Sequence, residues 1–467
     1  MRVSVIGCGH LGIPHAAAMA ELGHEVIGVD TDREKIARLN AGECPIFEPG
    51  LPELLAMHIK SGRLRFTTDV TEAAAFAELH FIGVGTPIDA DGRSYDTGQV
   101  FGAVRQLAPH LTKACTIVGK STVTVGTTAE VAALAQRLAP AGTAVEVVWN
   151  PEFLREGHAV EDTLRPDRVI AGVTGPEGEK AIRAVYAGIL DAGVPLFVCD
   201  PATAELAKGA ANTFLGLKIS YINAVANMCE AAGGDITRIV EILGIDPRIG
   251  AGGMQPGIGY GGGCLPKDVR AFTASAKQLG ADDAVDLLLA AERINESRTG
   301  IAMDLIADAL GEKPLRGARV AVLGAAFKPN TSDVRESPAL ALALALHRAG
   351  GAVTVHDPQA VPNAMVRNPE LDYTSDLPAA LTGAELVVLA TEWPEYRQAD
   401  PGTLVELPAD PLLVDCRTTL DADRWRTAGW RVHQLGRPNP ESRVSVAVPI
   451  EDVRRAVASG TNGQVPQ

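Results

Sequence analysis

Apolar residues come in short bursts along the first part of the chain, and stretches with helical spacing separate the bursts. Arg2-Val-Ser-Val-Ile runs into Gly7-Cys8-Gly9-His10-Leu11-Gly12. A small-residue run from Ile13 to Leu22 follows, then Gly23 and a second burst, Glu25-Val-Ile-Gly-Val-Asp30. Short apolar runs bounded by glycine predict buried strands, and the longer run between them predicts a helix. Strand, helix, strand is the unit of a parallel sheet. Further strands are predicted from Glu78 to Pro87, Thr116 to Thr122 and Ala144 to Trp149. The first two finish in small or hydroxyl residues (Thr86, Thr122), and the third runs into Asn150-Pro-Glu152-Phe153-Leu154-Arg155-Glu156-Gly157. Strand ends of this kind line the carboxyl edge of a parallel sheet, where ligands bind. Glu152 and Glu156 are either solvated charges or site residues.

The pattern changes after Pro201. Helical spacing runs unbroken from Ala202 to Ala232, roughly 45 Å at about 1.5 Å per residue. Lys208 and Asn212 are four apart on it and share a face. Among Ala207, Gly209, Ala210 and Ala211 they are either surface residues or part of a crowded site. Between Gly250 and Gly263 eight of fourteen residues are glycine, and Cys264-Leu-Pro-Lys267-Asp268 follows at once. Glycine loses the most backbone entropy on ordering, which predicts a loop here. That loop is either a linker with an incidental thiol or a reactive loop in which Lys267 lowers the pKa of Cys264. A second helix is predicted from Ala284 to Leu310.

From Arg319 the opening pattern returns. Arg319-Val-Ala-Val-Leu-Gly324 matches the first strand, Val353-Thr-Val-His-Asp357 the second, and Glu385–Thr391 the strand near Val84; Leu412–Asp415 predicts another. The second copy lacks G-x-G-x-x-G and carries Lys328 and Arg335 near its turn. It takes a different phosphate-bearing ligand or only packs. The expected fold is α/β, with two doubly wound, Rossmann-like domains joined by a long central helix and a helical middle domain. The expected boundaries are 1–200, 201–312 and 313–440, with 441–467 a C-terminal segment ending in a disordered, Gly/Thr/Asn/Gln/Pro-rich tail.

A net charge of −15 argues against nucleic acid or an anionic membrane as a partner. The seven cysteines are scattered without CxxC spacing, which argues against a disulfide framework or a zinc site and for a reducing cytoplasm. No apolar run approaches a membrane span, and no signal segment precedes the first strand. In the first turn, Gly7 makes the bend, Gly9 admits a pyrophosphate, and Gly12 packs helix on strand. Asp30, ending the second strand, would bond a ribose 2′-hydroxyl and repel a 2′-phosphate. The expected cofactor is therefore NAD, and no metal is expected.

Five ordered motifs extend this reading: Lys120-Ser-Thr-Val-Thr-Val-Gly-Thr127, Asn150–Gly157, Lys208-x-x-x-Asn212, Gly261-Gly-Gly-Cys-Leu-Pro-Lys-Asp268 and Phe327-Lys-Pro-Asn-Thr-Ser-Asp-Val-Arg-Glu-Ser337. With them the chain, over residues 1–440, resembles the nucleotide-sugar 6-dehydrogenase family, most closely its UDP-glucose branch. The resemblance implies a four-electron oxidation of the sugar C6 alcohol to a carboxylate with two NAD⁺, giving a UDP-glucuronate for polysaccharide biosynthesis. It also implies roles. Cys264 would trap the aldehyde as a thiohemiacetal and then a thioester, and Asp268 with Thr122 and a water would remove the hydroxyl proton. Lys208 and Asn212 would hold the oxyanion, and Glu152 would activate the hydrolytic water. Cofactor contacts would be Gly7, Gly9, Gly12, Asp30, Lys35, Thr86, Thr122, Glu156, Lys267 and Arg335. Substrate contacts would add Phe153, Leu154, Gly257, Tyr260, Gly261, Phe327, Lys328 and Arg417, with Arg248 reaching across the interface of a homodimer or higher homo-oligomer.

Two positions depart from the family pattern: Gly263 stands where serine is common before the cysteine, and Thr124 where proline is common. Neither is a reacting group. The Cys-Leu-Pro-Lys-Asp run also occurs in GDP-mannose dehydrogenases, and UDP-N-acetylmannosamine is a further alternative substrate. Asp246-Pro-Arg-Ile-Gly250 favours the UDP-glucose branch. A single-step β-hydroxyacid dehydrogenase needs neither the thiol nor the second domain. A nucleotide-binding protein without turnover has no use for the reacting groups.

Overall fold

The computed structural model describes residues 1–89 and 94–438, so the expected tail at 441–467 lies outside the described residues. The first sheet has eight strands: β1 (Arg2–Ile6), β2 (Glu25–Val29), β3 (Leu64–Thr67), β4 (Leu79–Ile82), β5 (Cys115–Gly119), β6 (Val145–Trp149), β7 (Val169–Gly172) and β8 (Leu196–Cys199). Their order is β3-β2-β1-β4-β5-β6-β7-β8. All neighbours are parallel except β6 and β7, which meet antiparallel at Trp149 opposite Gly172. β1 pairs on one side with β2 and on the other with β4. The strand order therefore reverses beside β1, and a ligand crevice opens at the carboxyl end of that switch point.

Two-sided burial sets this sheet. Val3, Val5, Phe81, Val118 and Val148 pack into one apolar cluster. Their chain neighbours Ile6, Ile82, Ile117, Val147 and Trp149 pack into another. Alternate residues point to opposite faces of a strand, so both faces are covered. Each such side chain contributes on the order of 1.5–3 kcal/mol on burial, and a one-residue register slip would exchange the faces.

The segment after β8 is helical. Of the helices used below, α1 (Gly12–Glu21) follows the first turn and α2 (Pro201–Ala232) is the 32-residue central helix. Asp200 caps α2 by accepting from Thr203 N, Pro201 supplies the first turn, and Gly233 ends it in the left-handed region. Then come α3 (Ile236–Ile245), α4 (Leu265–Gln278) and α5 (Asp282–Leu310). A Cβ at Gly209 would lie 2.4 Å from the Phe272 ring. The missing side chain lets α4 lie close against α2 at the level of Lys208 and Asn212.

The second sheet repeats the first in six parallel strands, β9 (Arg319–Leu323), β10 (Ala352–His356), β11 (Asp372–Thr374), β12 (Leu386–Leu389), β13 (Leu412–Asp415) and β14 (Arg431–Gln434). Their order is β11-β10-β9-β12-β13-β14. The repeat extends to hydrogen bonds. Asp30 accepts from Cys8 N, and its counterpart Asp357 accepts from Ala325 N and Ala326 N. Asp357 is fully buried and also takes Trp393 Nε1. A Cβ at Gly324 would fall 2.3 Å from Thr391 Oγ1. The second turn is thus filled from within by its own aspartate and neighbours, and only the first is open to a dinucleotide.

Candidate active site between the two sheets

The first turn fits NAD by its shape. Gly7 has φ of +98°, and a Cβ on Gly12 would stand 1.7 Å from Gly7 O, whereas a Cβ on Gly9 would meet nothing within 4 Å. The bend and the helix contact therefore need glycine for internal reasons, and Gly9 leaves open the surface that a pyrophosphate would cover. At the end of β2, Asp30 accepts from Cys8 N (2.9 Å), Asp32 N (3.0 Å) and Lys35 Nζ (3.1 Å). A carboxylate has about four lone-pair sites, so one remains for a ribose hydroxyl. Thr86 is buried at the exit of β4 and Thr122 half-buried at the exit of β5.

Cys264 is the N-cap residue of α4. The sequence reading placed it at the end of a loop; here Leu265-Pro-Lys-Asp268 forms the first turn of a helix, with Pro266 where its missing N–H costs nothing. The thiol is open to solvent on its cleft side and crowded by protein elsewhere. That burial pushes its pKa up to about 12, against the pull of the Lys208 ammonium and with the push of Glu152, Asp268 and Glu156. In the free protein Cys264 is a thiol, not a thiolate.

Around it the structure gathers residues from three parts of the chain. Lys208 Nζ lies 3.2 Å from Glu152 Oε1 and 5.3 Å from the centre of the Phe153 ring. Phe153 in turn carries the Arg168 guanidinium at 4.0 Å. Burial works to lower the Lys208 pKa, but Glu152, Cys264 and Asp268 outweigh it and the net shift is upward. Glu152 Oε2 accepts from Leu154 N at 2.7 Å, which fixes the turn after β6. Asn212 Nδ2 donates to Asp268 Oδ2 at 2.5 Å, and Lys267 Nζ to Asp268 Oδ1 at 2.6 Å. Tyr95, which the sequence reading did not single out, donates its hydroxyl to the same Oδ1 at 3.1 Å.

The second sheet closes the cleft. Arg335 Nη2 reaches Asp333 Oδ2 (2.6 Å) and, across the domain boundary, Glu156 Oε1 (3.0 Å). Burial, then the neighbouring Asp333, raise the Glu156 carboxyl to about 8, while Arg335 holds Asp333 low. Lys328, half-buried and close to Glu156 and Glu48, is lowered, mainly by burial. A carboxyl raised above its unfolded value favours the folded state at low pH, and that advantage fades as pH climbs toward the folded pKa. Wild type is therefore expected to lose more thermal stability between pH 6 and pH 9 than Glu156→Gln, measured as Tm of the two proteins in parallel. Equal losses would remove Glu156 from the account.

The glycine loop is tightly held. Gly257 N donates to Asn223 Oδ1 (2.8 Å), its oxygen accepts from Arg298 Nε (2.8 Å), and Tyr260 exchanges two bonds with Asn295. Tyr260 packs its hydroxyl beside Gly216 of α2. A Cβ at Gly261, Gly262 or Gly263 would lie 2.1 Å from Glu336 O, 2.7 Å from the Phe327 ring and 2.3 Å from the Arg335 guanidinium. These three glycines admit the second domain against the loop. The departure at position 263 has the same effect, since the Arg335 head occupies the space beside it. Arg417 spends its donors on the carbonyls of Ala390, Gly259 and Phe327 and pairs with Glu392 at 3.3 Å. It ties the loop to the second sheet instead of presenting a free guanidinium. Arg248 stands on the surface, paired with Asp246 at 2.6 Å, and makes no contact with the Cys264 cluster in its own chain.

An open dinucleotide turn on a doubly wound sheet, facing a second doubly wound sheet across a helical layer, defines an NAD-dependent dehydrogenase of two nucleotide-binding domains. Comparison with known proteins makes the assignment specific. Residues 1–190 match the NAD binding domain of the UDP-glucose/GDP-mannose dehydrogenase family, 202–297 its central domain and 321–422 its UDP binding domain. The chain belongs to that family. It is 40% identical over 442 residues to a UDP-glucose 6-dehydrogenase of Rhizobium meliloti, covering 94% of this chain and 100% of the relative. To one of Pseudomonas aeruginosa it is 41% identical, over 94% and 98%. A solved UDP-glucose dehydrogenase from Pyrobaculum islandicum superposes with a TM-score of 0.85 at 38% identity, covering 93% and 98%. Among the described residues no helix is long and apolar enough to cross a membrane.

Proposed function

We propose that this protein oxidises UDP-glucose at C6 to UDP-glucuronate in two NAD-dependent steps through a covalent intermediate on Cys264. The observation that carries this reading is the convergence of Lys208, Glu152, Asn212 and Asp268 around one cleft-facing thiol between two nucleotide-binding sheets. Bound NAD⁺ supplies the hydride acceptor in each oxidation. Asp268, anchored by Asn212, Lys267 and Tyr95, receives the hydroxyl proton through a water lodged against Thr122. Cys264 Sγ then adds to the aldehyde carbon while its thiol proton passes to the carbonyl oxygen, which Lys208 and Asn212 hold by donated hydrogen bonds. Loss of the second hydride, with the adduct's hydroxyl proton passing to solvent, leaves a thioester. Glu152 takes a proton from the water that attacks it, releasing the acid and the thiolate.

Cofactor contacts fall to Gly7, Gly9, Gly12, Asp30, Lys35, Thr86, Thr122, Glu156, Lys267 and Arg335. Phe153, Leu154, Lys328 and the loop from Gly257 line the nucleotide sugar. The working units are 1–200 for NAD, 201–312 for the thiol and the dimer interface, and 313–440 for the uridine nucleotide. The homodimer is supported by exposed apolar residues seven apart on α2, Phe214, Tyr221 and Met228, beside exposed Ile242 and Ile245 of α3. A second copy over that face would carry its Arg248 toward this cleft. All seven cysteines are free, which supports a reducing cytoplasm, and the product suits polysaccharide biosynthesis.

The UDP-glucose relatives at about 40% identity support that substrate over acetamido sugars. A solved UDP-N-acetylmannosamine enzyme from Pyrococcus horikoshii stands at 27%. NADH formation measured with UDP-glucose, GDP-mannose and UDP-N-acetylmannosamine tests the choice. Turnover is expected with UDP-glucose at least about a hundredfold faster than with either other sugar, and preference for one of those would reassign the substrate.

A further inference from the structure

We infer that Tyr95 is a positioning residue for the oxidation, acting through Asp268. The inference rests on the reading of Asp268 given above. Tyr95 is 7% exposed and comes from the first domain, on the segment that leaves β4 past Thr86. Its main chain is held there by the bridge between Ile88 and Tyr95 and by the bond from Asp96 N to Pro87 O (2.8 Å). Its side chain crosses to α4, where the hydroxyl donates to Asp268 Oδ1 and the ring lies 4.5 Å beneath the Lys267 ammonium. One residue thus contacts both neighbours of the reacting thiol's helix turn.

The geometry assigns Tyr95 two effects. Asp268 is 1% exposed and receives three donors, Tyr95 and Lys267 on Oδ1 and Asn212 on Oδ2. Tyr95 and Asn212 approach from different domains and opposite oxygens, so together they fix the plane of the carboxylate. The ring also gives the Lys267 ammonium a face to rest on, which keeps it on Oδ1. Burial and the charge of Asp268 hold the phenol well above its usual pKa, so it remains a donor throughout the working pH range. Because Tyr95 shares a segment with Thr86 beside the cofactor turn, the first domain meets the thiol's helix at Asp268.

The test is a double-mutant cycle on the full-length protein with Tyr95→Phe and Asp268→Asn, read as kcat and KM for UDP-glucose and NAD. Tyr95→Phe keeps the ring and removes only the donor. It is expected to lower kcat about tenfold, the order of a hydrogen bond to a charged group, with both KM values within about twofold and a cooperative unfolding transition retained. In the Asp268→Asn background the same change is expected to have no further effect, because residues that act through one another are not additive. An unchanged kcat in Tyr95→Phe, or an equal tenfold loss in both backgrounds, would overturn the inference. Full activity of Asp268→Asn alone would instead overturn the role of Asp268, whatever Tyr95→Phe does.

Discussion

Cys264→Ala is expected to lower steady-state formation of the sugar acid by at least about a thousandfold while leaving NAD binding within about twofold. The first hydride leaves an alcohol carbon and needs no sulfur. The second must leave a tetrahedral carbon, which in the proposed reaction Cys264 Sγ forms. In that reaction the sulfur would also hold the aldehyde in place between the two steps. Without it the variant should give at most about one NADH per bound sugar before slowing, and NADH absorbance in a single turnover checks this directly. The surrounding structure gives no reason for the fold to fail, because the thiol faces the cleft and caps α4 without a side-chain hydrogen bond. Acid formation at the wild-type rate would remove the thiol from the mechanism.

Lys208→Met is expected to be nearly as damaging, with kcat down about a thousandfold. Lys208 is buried and stands 3.2 Å from Glu152 Oε1. Among the charges that act most strongly on the Cys264 thiol, Lys208 is the one that pulls its pKa down. Removing the ammonium leaves Glu152 without its partner and raises the thiol further, and it takes a donor from the adduct oxygen. A second readout separates these effects from a general disturbance. Iodoacetamide alkylation of Cys264 in the free protein should be slow at pH 7, because a thiol raised to about 12 is protonated there. Its rate should rise about tenfold per pH unit up to pH 9, and Lys208→Met should be slower at each pH. Lys208→Arg should not restore turnover, since a planar fork does not fill the place of a compact ammonium. Wild-type alkylation and turnover in Lys208→Met would show that Lys208 is a packing residue.

The fold was largely legible in the chain because both sheets are buried on two faces, and such strands read as apolar bursts. Strands with less apolar content escaped. β8 has exposed Phe197 and Val198, β11 is three residues long, and neither stands out from its flanks. The helix after Cys264 escaped because a glycine run beside it reads as continuous loop, and its start at a cysteine carries no capping signal. In the site, helical spacing put Lys208 and Asn212 on one face, and the family resemblance gave them a role. The glycines at 261–263 were legible as a close approach, but their neighbour is the second domain, which no local pattern reveals. Tyr95 and Asp333 were not legible. Tyr95 acts through a bond to Asp268, 173 positions away, and Asp333 through Arg335, which bonds Glu156, 179 positions away; sequence spacing carries no trace of such contacts. Arg417 was placed at a sheet edge by the strand pattern before it, yet its donors go to main-chain carbonyls that only the folded chain brings within reach.

The two doubly wound domains offer different surfaces to one cleft. The first domain offers an open dinucleotide turn; the second has closed its own turn with Asp357 and Trp393 and presents Lys328 and Arg335 instead. The glycine loop lets the second domain sit against Cys264, so the thiol is reached from both sides at once. That arrangement suits two oxidations at one carbon without release of the aldehyde.

Acid quenching followed by mass spectrometry of the Cys264 peptide reads the covalent step itself. With UDP-glucose and NAD⁺ mixed with Glu152→Gln, whose hydrolytic base is removed, the peptide is expected to carry a sugar-nucleotide acyl adduct on Cys264, one per chain. Wild type should return the free thiol and two NADH per acid formed. An unmodified Cys264 in Glu152→Gln, with two NADH per acid still released, would contradict it.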